Sequence, residues 1–150
     1  MIDHFTLTVR DIALSRTFYE KALAPLGYKV KLDFGKLCGF GDAKKPYFWL
    51  KEGPVPTQSM HIAFEAKGRA HVDAFHVAAL AAGATDDGTP GLRKHYHPYY
   101  YGSFVVDLDG HPIEAVCHLP VKAKAKAKAK AKAKAKPRAK AKKVAARKRR

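Results

Sequence analysis

The chain has 150 residues with 29 Lys or Arg against 13 Asp or Glu, but 16 of the basic residues and none of the acidic ones fall in residues 121–150. Residues 1–120 are therefore balanced, with 13 basic and 13 acidic side chains, so the basic pI says nothing about this body. Two cysteines exclude a disulfide framework, and neither a signal peptide nor an apolar run of about 20 residues is present, so we expect a soluble, cytoplasmic protein with no membrane partner.

The body, which is long enough to bury a core of its own, is predicted to form one domain over residues 1–120. Its N-terminal residues 2–9 alternate apolar and polar side chains, as a half-buried strand does. Asp11 is suited to cap a helix that runs to about Ala24, and Gly27 is suited to the left-handed end of that helix. Three short strands are predicted next, at residues 28–34, 37–41 and 47–51.

The same pattern begins again at residue 60. Residues 60–66 alternate as a second half-buried strand. A helix is predicted from about Arg69, with Leu80 among its buried residues and Gly83 at its end. Three further strands are predicted at residues 84–89, 102–107 and 112–118.

Equal spacings relate the two halves. The interval from His4 to His61 equals the interval from Phe18 to Phe75, which predicts one βαβββ module written twice. Two such modules are expected to pack about a pseudo-twofold axis with their helices outside. The predicted fold is α+β, with two modules forming an open mixed-sheet barrel around a cleft. The alternative is that any two amphipathic α/β units look alike.

The cleft is where corresponding polar side chains of the two modules would meet. His4 and His61 each fall near the start of their predicted strands, on the polar face, and Glu114 falls near the start of the last strand. Matching the prolines that open the last strand of each module makes Phe48 the counterpart of Glu114. The symmetry therefore predicts two imidazoles, one carboxylate and an apolar fourth corner.

Three segments of the body resemble the vicinal oxygen chelate superfamily, which includes glyoxalases, fosfomycin and bleomycin resistance proteins and extradiol dioxygenases. They are HFTLTVRDIALSRTFYEKALAPLGY at residues 4–28, HIAFEA at residues 61–66 and FVVDLDGHPIEAVCH at residues 104–118. The last is similar to the D-P-D-G-x-x-I-E end motif of that family, with Leu108 in place of the usual proline. The resemblance covers residues 1–119 and implies the paired-module fold.

The resemblance also implies a divalent metal ion between the modules, with His4, His61 and Glu114 as its ligands. Phe48 stands where glyoxalase-type lyases tend to have a fourth ligand. Two imidazoles and a carboxylate form a facial triad that leaves positions open for two substrate oxygens. We therefore expect a metal-dependent lyase or dioxygenase that acts on a small oxygenated substrate, without assigning a catalytic residue. The alternative is a non-catalytic small-molecule-binding protein of the bleomycin-resistance type, and the site closes either within one chain or across a homodimer.

The loop at residues 90–103 is predicted to form one wall of the cleft. Arg93 suits an anionic group of a substrate. Aromatic side chains of this loop offer flat apolar surfaces with hydroxyl groups. They are Tyr96, Tyr100 and Tyr101. The alternative is an ordinary aromatic-rich surface loop.

Five residues elsewhere in the body receive other predictions. Phe48 is expected to line the substrate pocket or the core. His76 is predicted at the surface or its boundary and His111 at a turn. Cys38 and Cys117 are predicted to be small buried apolar residues.

Within residues 121–150, Lys and Ala alternate from residue 122 to residue 136, and residues 142–150 form a denser basic cluster. Such a segment has no hydrophobic face to bury, so it is predicted to be a disordered tail. It resembles the C-terminal arms of bacterial histone H1-like proteins, and a polycation of this density binds DNA, RNA or polyphosphate by counterion release. This favours a nucleoid-associated protein if the tail is the functional part; the alternative is a repeat with no selected role. The residues predicted to bind nucleic acid are Lys122, Lys124, Lys126, Lys128, Lys130, Lys132, Lys134, Lys136, Arg138, Lys140, Lys142, Lys143, Arg147, Lys148, Arg149 and Arg150.

Overall fold

The computed structural model describes residues 2–120, and the basic tail predicted at residues 121–150 lies outside the described residues. The first half contains β1 (Phe5–Val9), α1 (Ile12–Leu23), a 3-10 turn (Ala24–Leu26), β2 (Lys29–Asp33), β3 (Leu37–Gly41) and β4 (Pro46–Glu52). The second half contains β5 (Ile62–Glu65), α2 (Arg69–Ala81), β6 (Thr85–Leu92), β7 (Tyr101–Val106) and β8 (Pro112–Cys117). The βαβββ module predicted from the spacing is therefore confirmed in both halves.

Each half forms one four-stranded mixed sheet. The strand orders are β1-β4-β3-β2 and β5-β8-β7-β6, so the first strand of each module pairs in parallel with the last one. The remaining pairs are antiparallel. The α+β class is confirmed, and the two sheets stay open rather than closing into a barrel. Among residues 2–120, neither helix is long and apolar enough to cross a membrane.

Local signals set the bounds of the first helix. The Asp11 side chain accepts a hydrogen bond from the backbone N–H of Leu14 (3.0 Å), which satisfies one of the free donors of the first turn. The helix continues into the 3-10 turn and ends at Gly27, whose φ of 90° lies in the left-handed region that glycine adopts without a steric penalty. The predicted cap and the predicted end are both confirmed.

Aromatic side chains connect the two modules through a shared core. The ring of Phe48 lies 4.9 Å from that of Tyr19 on α1 and 5.3 Å from that of Phe64 on β5. The two helices also contact each other. Burial of each such ring contributes about 1.5–3 kcal/mol, so the modules fold against each other rather than as separate units.

Each sheet has one face against the helices and one face turned away from them, which we call the open face. In β7, Tyr101 donates a hydrogen bond to Asp73 of α2 (2.7 Å), and Ser103 donates to the Val72 carbonyl of the same helix (3.4 Å). Because side chains alternate along a strand, Gly102 and Phe104 lie on the open face. The candidate site is built on this face of the second sheet.

Several local predictions are corrected by the structure. β1 and β5 begin at Phe5 and Ile62, so the two histidines predicted inside these strands precede them. Leu80 is 37% exposed rather than buried. His76 is buried rather than at the surface, because its Nε2 reaches Oδ1 of Asp86 in β6 at 2.9 Å.

The loop and turn predictions also change. The strands β6 and β7 extend towards each other, so the loop predicted over residues 90–103 shortens to residues 93–100. His111 lies at its predicted turn but is buried, and Cys38 and Cys117 are buried as predicted.

The turn between β7 and β8 ties the second module to the first. Oδ1 of Asp107 accepts hydrogen bonds from the N–H groups of Asp109 (2.9 Å) and His111 (2.8 Å), while its Oδ2 accepts one from the Tyr19 hydroxyl of α1 (2.6 Å). Asp109 accepts a further bond from the N–H of Arg10 (3.1 Å). Burial and the nearby Asp107 charge raise the pKa of Tyr19 well above its usual value, so the hydroxyl keeps its proton and donates. Asp107 and Asp109, the two acids of this turn, therefore have structural roles.

Replacing Asp107 by alanine is expected to lower the free energy of unfolding by about 3 kcal/mol, because two backbone donors and a buried hydroxyl lose their acceptor together. Urea unfolding followed by circular dichroism measures this change. Asp87→Ala, at an exposed position of β6, is the matched control and should change stability by less than about 0.5 kcal/mol. Equal losses in the two variants would contradict the structural role of the motif.

Candidate functional site

The Glu114 carboxylate is the centre of the candidate site. It lies in mid-strand on the open face of the second sheet, beside Ala63 of β5 and Phe104 of β7, yet Glu114 is only 3% exposed. Its Oε1 accepts a hydrogen bond from the Tyr100 hydroxyl (2.5 Å), and its Oε2 lies 3.1 Å from Nε2 of His61. A carboxylate buried to this degree needs such partners, and here both of its oxygens have one.

Gly102 makes room for this network. A Cβ atom at Gly102 would lie 2.9 Å from Oε1 of Glu114 and 3.1 Å from Cε1 of Tyr100. The tyrosine itself is held by the backbone, since its carbonyl accepts from Arg93 (2.8 Å) and its N–H donates to His97 (3.0 Å). The bend of the loop and the glycine together set the Tyr100 ring against Glu114.

The protons of this network can be assigned from the chemistry of its groups. Burial and then the hydrogen bond to Glu114 raise the pKa of Tyr100 well above its usual value, so the phenol stays protonated and donates. The carboxylate oxygen near His61 accepts, which places the proton of a neutral imidazole on Nε2. The His61 side chain is 52% exposed, so its Nδ1 is left to accept a proton or a hydrogen bond from a ligand.

Aromatic rings surround this polar centre. The Arg93 guanidinium lies over the Phe104 ring, with its Cζ 5.5 Å from the ring centre, and the His61 ring centre is 6.4 Å from the same point. The rings of Tyr96 and His118 pack at 5.1 Å and 5.0 Å from the ring of Tyr100. A flat molecule bound at Glu114 would therefore have aromatic rings within reach.

The structure brings together two of the three predicted metal ligands, His61 and Glu114. The third, His4, has its Nδ1 2.9 Å from Oδ1 of Asp3, and its side chain is 58% exposed. No three His, Cys, Asp or Glu side chains are grouped to hold a metal ion anywhere in residues 2–120. As arranged in this chain, the residues do not fit a metal ion, and the ligand role of the three stays a prediction.

Phe48 needs a correction, because the strand pairing does not make it the counterpart of Glu114. Phe48 pairs with Phe5 in the first sheet, and Ile113 pairs with Ile62 in the second, so Phe48 corresponds to Ile113. The counterpart of Glu114 is Trp49. The match of the two prolines failed because Pro46 stands two residues before Phe48, whereas Pro112 directly precedes Ile113.

The Phe48 side chain lies in the core with 2% exposure. It borders a cavity of about 460 Å³ between the start of β1 and β5, which is also lined by His4 and Tyr28. This cavity is not lined by His61 or Glu114. A substrate contact of Phe48 therefore stays a prediction, and it concerns a different place from the Glu114 site.

The predicted wall residues divide between the two faces of the sheet. Arg93 and Tyr96 lie near Glu114, whereas Tyr101 turns towards α2 and is not among the side chains around the carboxylate. Tyr100, which the sequence grouped with them only as aromatic surface, is the direct partner. Sequence reasoning did not single out Gly102 or Phe104, although they follow Tyr100 at successive intervals of two residues, which was a signal that all three share one face.

The comparisons with known proteins agree with this architecture. Residues 1–115 match the model of the Glyoxalase/Bleomycin resistance protein/Dioxygenase superfamily. No curated protein sequence matches the chain.

Solved structures share the fold. A glyoxalase/bleomycin resistance protein from Albidiferax ferrireducens T118 is 25% identical, with a TM-score of 0.67 over 79% of this chain and 98% of that one. A glyoxalase/bleomycin resistance protein/dioxygenase family enzyme from Burkholderia phytofirmans PsJN is 18% identical, with a TM-score of 0.62 over 79% and 98% of the two chains. A glyoxalase-related enzyme from Fulvimarina pelagi is 18% identical, with a TM-score of 0.59 over 78% and 87%. Two βαβββ modules and a family match over nearly the whole body show that the chain belongs to the glyoxalase/bleomycin resistance protein/dioxygenase superfamily.

Proposed function

We propose that this protein binds a small oxygenated molecule on the open face of its second sheet, with Glu114 and His61 as the polar centre. The observation that carries the proposal is the Glu114 carboxylate, which is buried in mid-strand although an apolar side chain would stabilise the sheet at lower cost. Its two hydrogen bonds hold it in place beside an exposed imidazole. Family members named for resistance and for catalysis share this fold, and binding is the step common to both.

The imidazole gives the proposed site its chemistry. Nε2 of His61 is engaged by Glu114, so Nδ1 is the ring nitrogen that remains to accept a hydrogen bond from a hydroxyl or enol group of the ligand. The adjacent carboxylate stabilises the imidazolium that forms if that proton is transferred. The ligand is therefore expected to carry at least one hydroxyl-type donor.

Glu114→Gln is expected to remove ligand binding for two reasons. The amide removes the negative charge next to His61, and its single oxygen cannot accept hydrogen bonds at both positions that the carboxylate oxygens occupy beside His61 and Tyr100. We suggest screening catechols, hydroxybenzoates and 2-oxo acids by NMR, with the backbone amides of Gly102 and Phe104 as reporters, because neither residue lines the cavity beside Phe48. Glu65→Gln, an exposed acid of β5, is the matched control and should leave binding unchanged. Binders that map elsewhere, or that bind Glu114→Gln equally well, would overturn the proposal.

The second candidate function is a metal-dependent lyase or dioxygenase that uses His4, His61 and Glu114. One observation favours it: two of the three groups lie 3.1 Å apart on one face. A divalent metal ion would supply Lewis acidity towards two vicinal substrate oxygens. This candidate function requires a third metal ligand beside His61 and Glu114, which His4 of the same chain does not provide in this arrangement.

Metal analysis separates the two candidates. The binding proposal predicts well under one equivalent of divalent metal in the purified full-length protein and no change in His4→Ala or His61→Ala. One equivalent that is lost in both variants, but kept in a His71→Ala control, would establish the metal-dependent candidate instead.

The tail is proposed to contact polyanions independently of this site. Its 16 basic residues without an acid favour binding to DNA, RNA or polyphosphate through counterion release. Retention of the protein at the nucleoid would follow from such binding.

A further inference from the structure

We infer that Arg93 is an anion anchor of the Glu114 site, which makes the ligand a small planar carboxylate with a hydroxyl group at its other end. The inference rests on the proposed function, because it concerns the same open face. It adds the charge of the ligand and the way in which the ligand is oriented.

The Arg93 guanidinium has donors to spare. Its Nη2 donates to the Thr89 carbonyl (2.8 Å), and it forms no ion pair with a carboxylate among residues 2–120. A guanidinium presents five N–H donors in a rigid fork that matches a carboxylate. One of them is used to fix the side chain, and the others remain for a ligand.

Two glycines of β6 give this guanidinium its place. A Cβ atom at Gly91 would lie 2.9 Å from Nη1 of Arg93, and one at Gly88 would lie 3.3 Å from Nη2. Gly88 would also bring a Cβ within 3.0 Å of the Phe104 ring. β6 therefore has no side chains at the two positions over which Arg93 lies. This allows the guanidinium to lie over the sheet close to Phe104 instead of in open solvent.

Phe104 links the anchor to the polar centre. Arg93 Cζ and the His61 ring lie 5.5 Å and 6.4 Å from the centre of the Phe104 ring. The two groups are therefore at most about 12 Å apart, and with a hydrogen bond of about 3 Å at each end a ligand the length of one substituted phenyl ring can join them. A carboxylate at one end would bind Arg93 in a bidentate manner, and a hydroxyl at the other end would donate to Nδ1 of His61.

The test compares 4-hydroxybenzoate with its neutral analogue 4-hydroxybenzamide on the full-length protein. The amides of Gly102 and Phe104 serve as NMR reporters, so that carboxylate drawn to the basic tail is not counted. We expect the carboxylate to bind at least about tenfold more tightly than the amide, and Arg93→Gln to remove that preference. Arg93→Lys, which keeps a charge beside Phe104, should retain part of it, and Lys94→Gln should retain all of it.

Each remaining outcome overturns a defined statement. Equal binding of both probes to the natural protein, unchanged in Arg93→Gln, would overturn the anchor and leave the proposed function standing. If neither probe perturbs the Gly102 and Phe104 amides, the planar carboxylate class is overturned. If no compound in the screen of catechols, hydroxybenzoates and 2-oxo acids perturbs these amides either, the proposed function is overturned as well.

Discussion

Deleting residues 121–150 is expected to weaken binding of the protein to double-stranded DNA by at least about a hundredfold at about 150 mM salt. The body has no net charge, whereas the deleted residues carry all of the 16 excess positive charges. Each phosphate that is neutralised releases condensed counterions, so affinity should fall steeply between about 50 and 200 mM salt for the full chain. Fluorescence anisotropy with a labelled duplex, measured across this range, gives both the affinity and the salt slope.

Two control chains make this experiment specific. A tail with the same composition in scrambled order should bind equally well, because counterion release does not depend on sequence. A tail with glutamine at every Lys and Arg should behave like the deletion. The truncated body should keep its melting temperature, since its core is made by residues 2–120. If the truncated body retained the DNA affinity of the full chain, the tail would have no role in nucleic-acid binding.

The repeat could be read from the sequence because its signals are local. Alternation with period two, the Asp11 cap and the Gly27 end depend on a few neighbouring residues. Equal intervals from His4 to His61 and from Phe18 to Phe75 then identified the second copy. The structure has the same elements in the same order.

The facing of individual side chains was harder to predict, because it depends on which strands pair and in which register. A shift of one residue turns a side chain to the other face of the sheet. For this reason Trp49, and not Phe48 as predicted, is the counterpart of Glu114. Likewise Tyr100 contacts Glu114, whereas its neighbour Tyr101 turns to the other face of the sheet. The face to which each of these side chains turns cannot be read from its own segment, since the partner strand sets the register.

The position of His4 relative to His61 is still harder to predict from the sequence. The repeat predicts that His4 and His61 occupy equivalent positions in their modules, and the structure agrees, because both precede the first strand. Their separation, however, is set by how the two modules pack through Tyr19, Phe48 and Phe64. Sequence symmetry alone therefore predicted that His4 lies beside His61 and Glu114, an arrangement that is not present among residues 2–120 of this chain.

Replacing Gly102 by alanine is expected to remove ligand binding at the second sheet and to lower the free energy of unfolding by about 2–3 kcal/mol. The added methyl group would lie 2.9 Å from Oε1 of Glu114. A flexible carboxylate could normally move aside, but this one is buried in a central strand and bonded on both oxygens. Relief of the clash therefore requires breaking the bond to Tyr100.

Gly39→Ala is the matched control for this substitution. Gly39 lies on the open face of the first sheet, where a Cβ atom would come within 2.8 Å of the Trp49 ring. It is expected to cost a similar free energy of unfolding, because the same overpacking arises beside the counterpart of Glu114. Binding at the second sheet should be unaffected, so loss of binding in Gly102→Ala alone would separate damage to the site from general destabilisation.

A double-mutant cycle assigns the cost of Gly102→Ala to its neighbour. In the Glu114→Ala background the methyl group has no carboxylate to displace, so the free-energy cost of Gly102→Ala should fall by at least about 1 kcal/mol. Urea unfolding of the four proteins gives this coupling energy. Additive costs, or unchanged ligand binding in Gly102→Ala, would show that the Glu114–Tyr100 contact does not organise this face of the sheet.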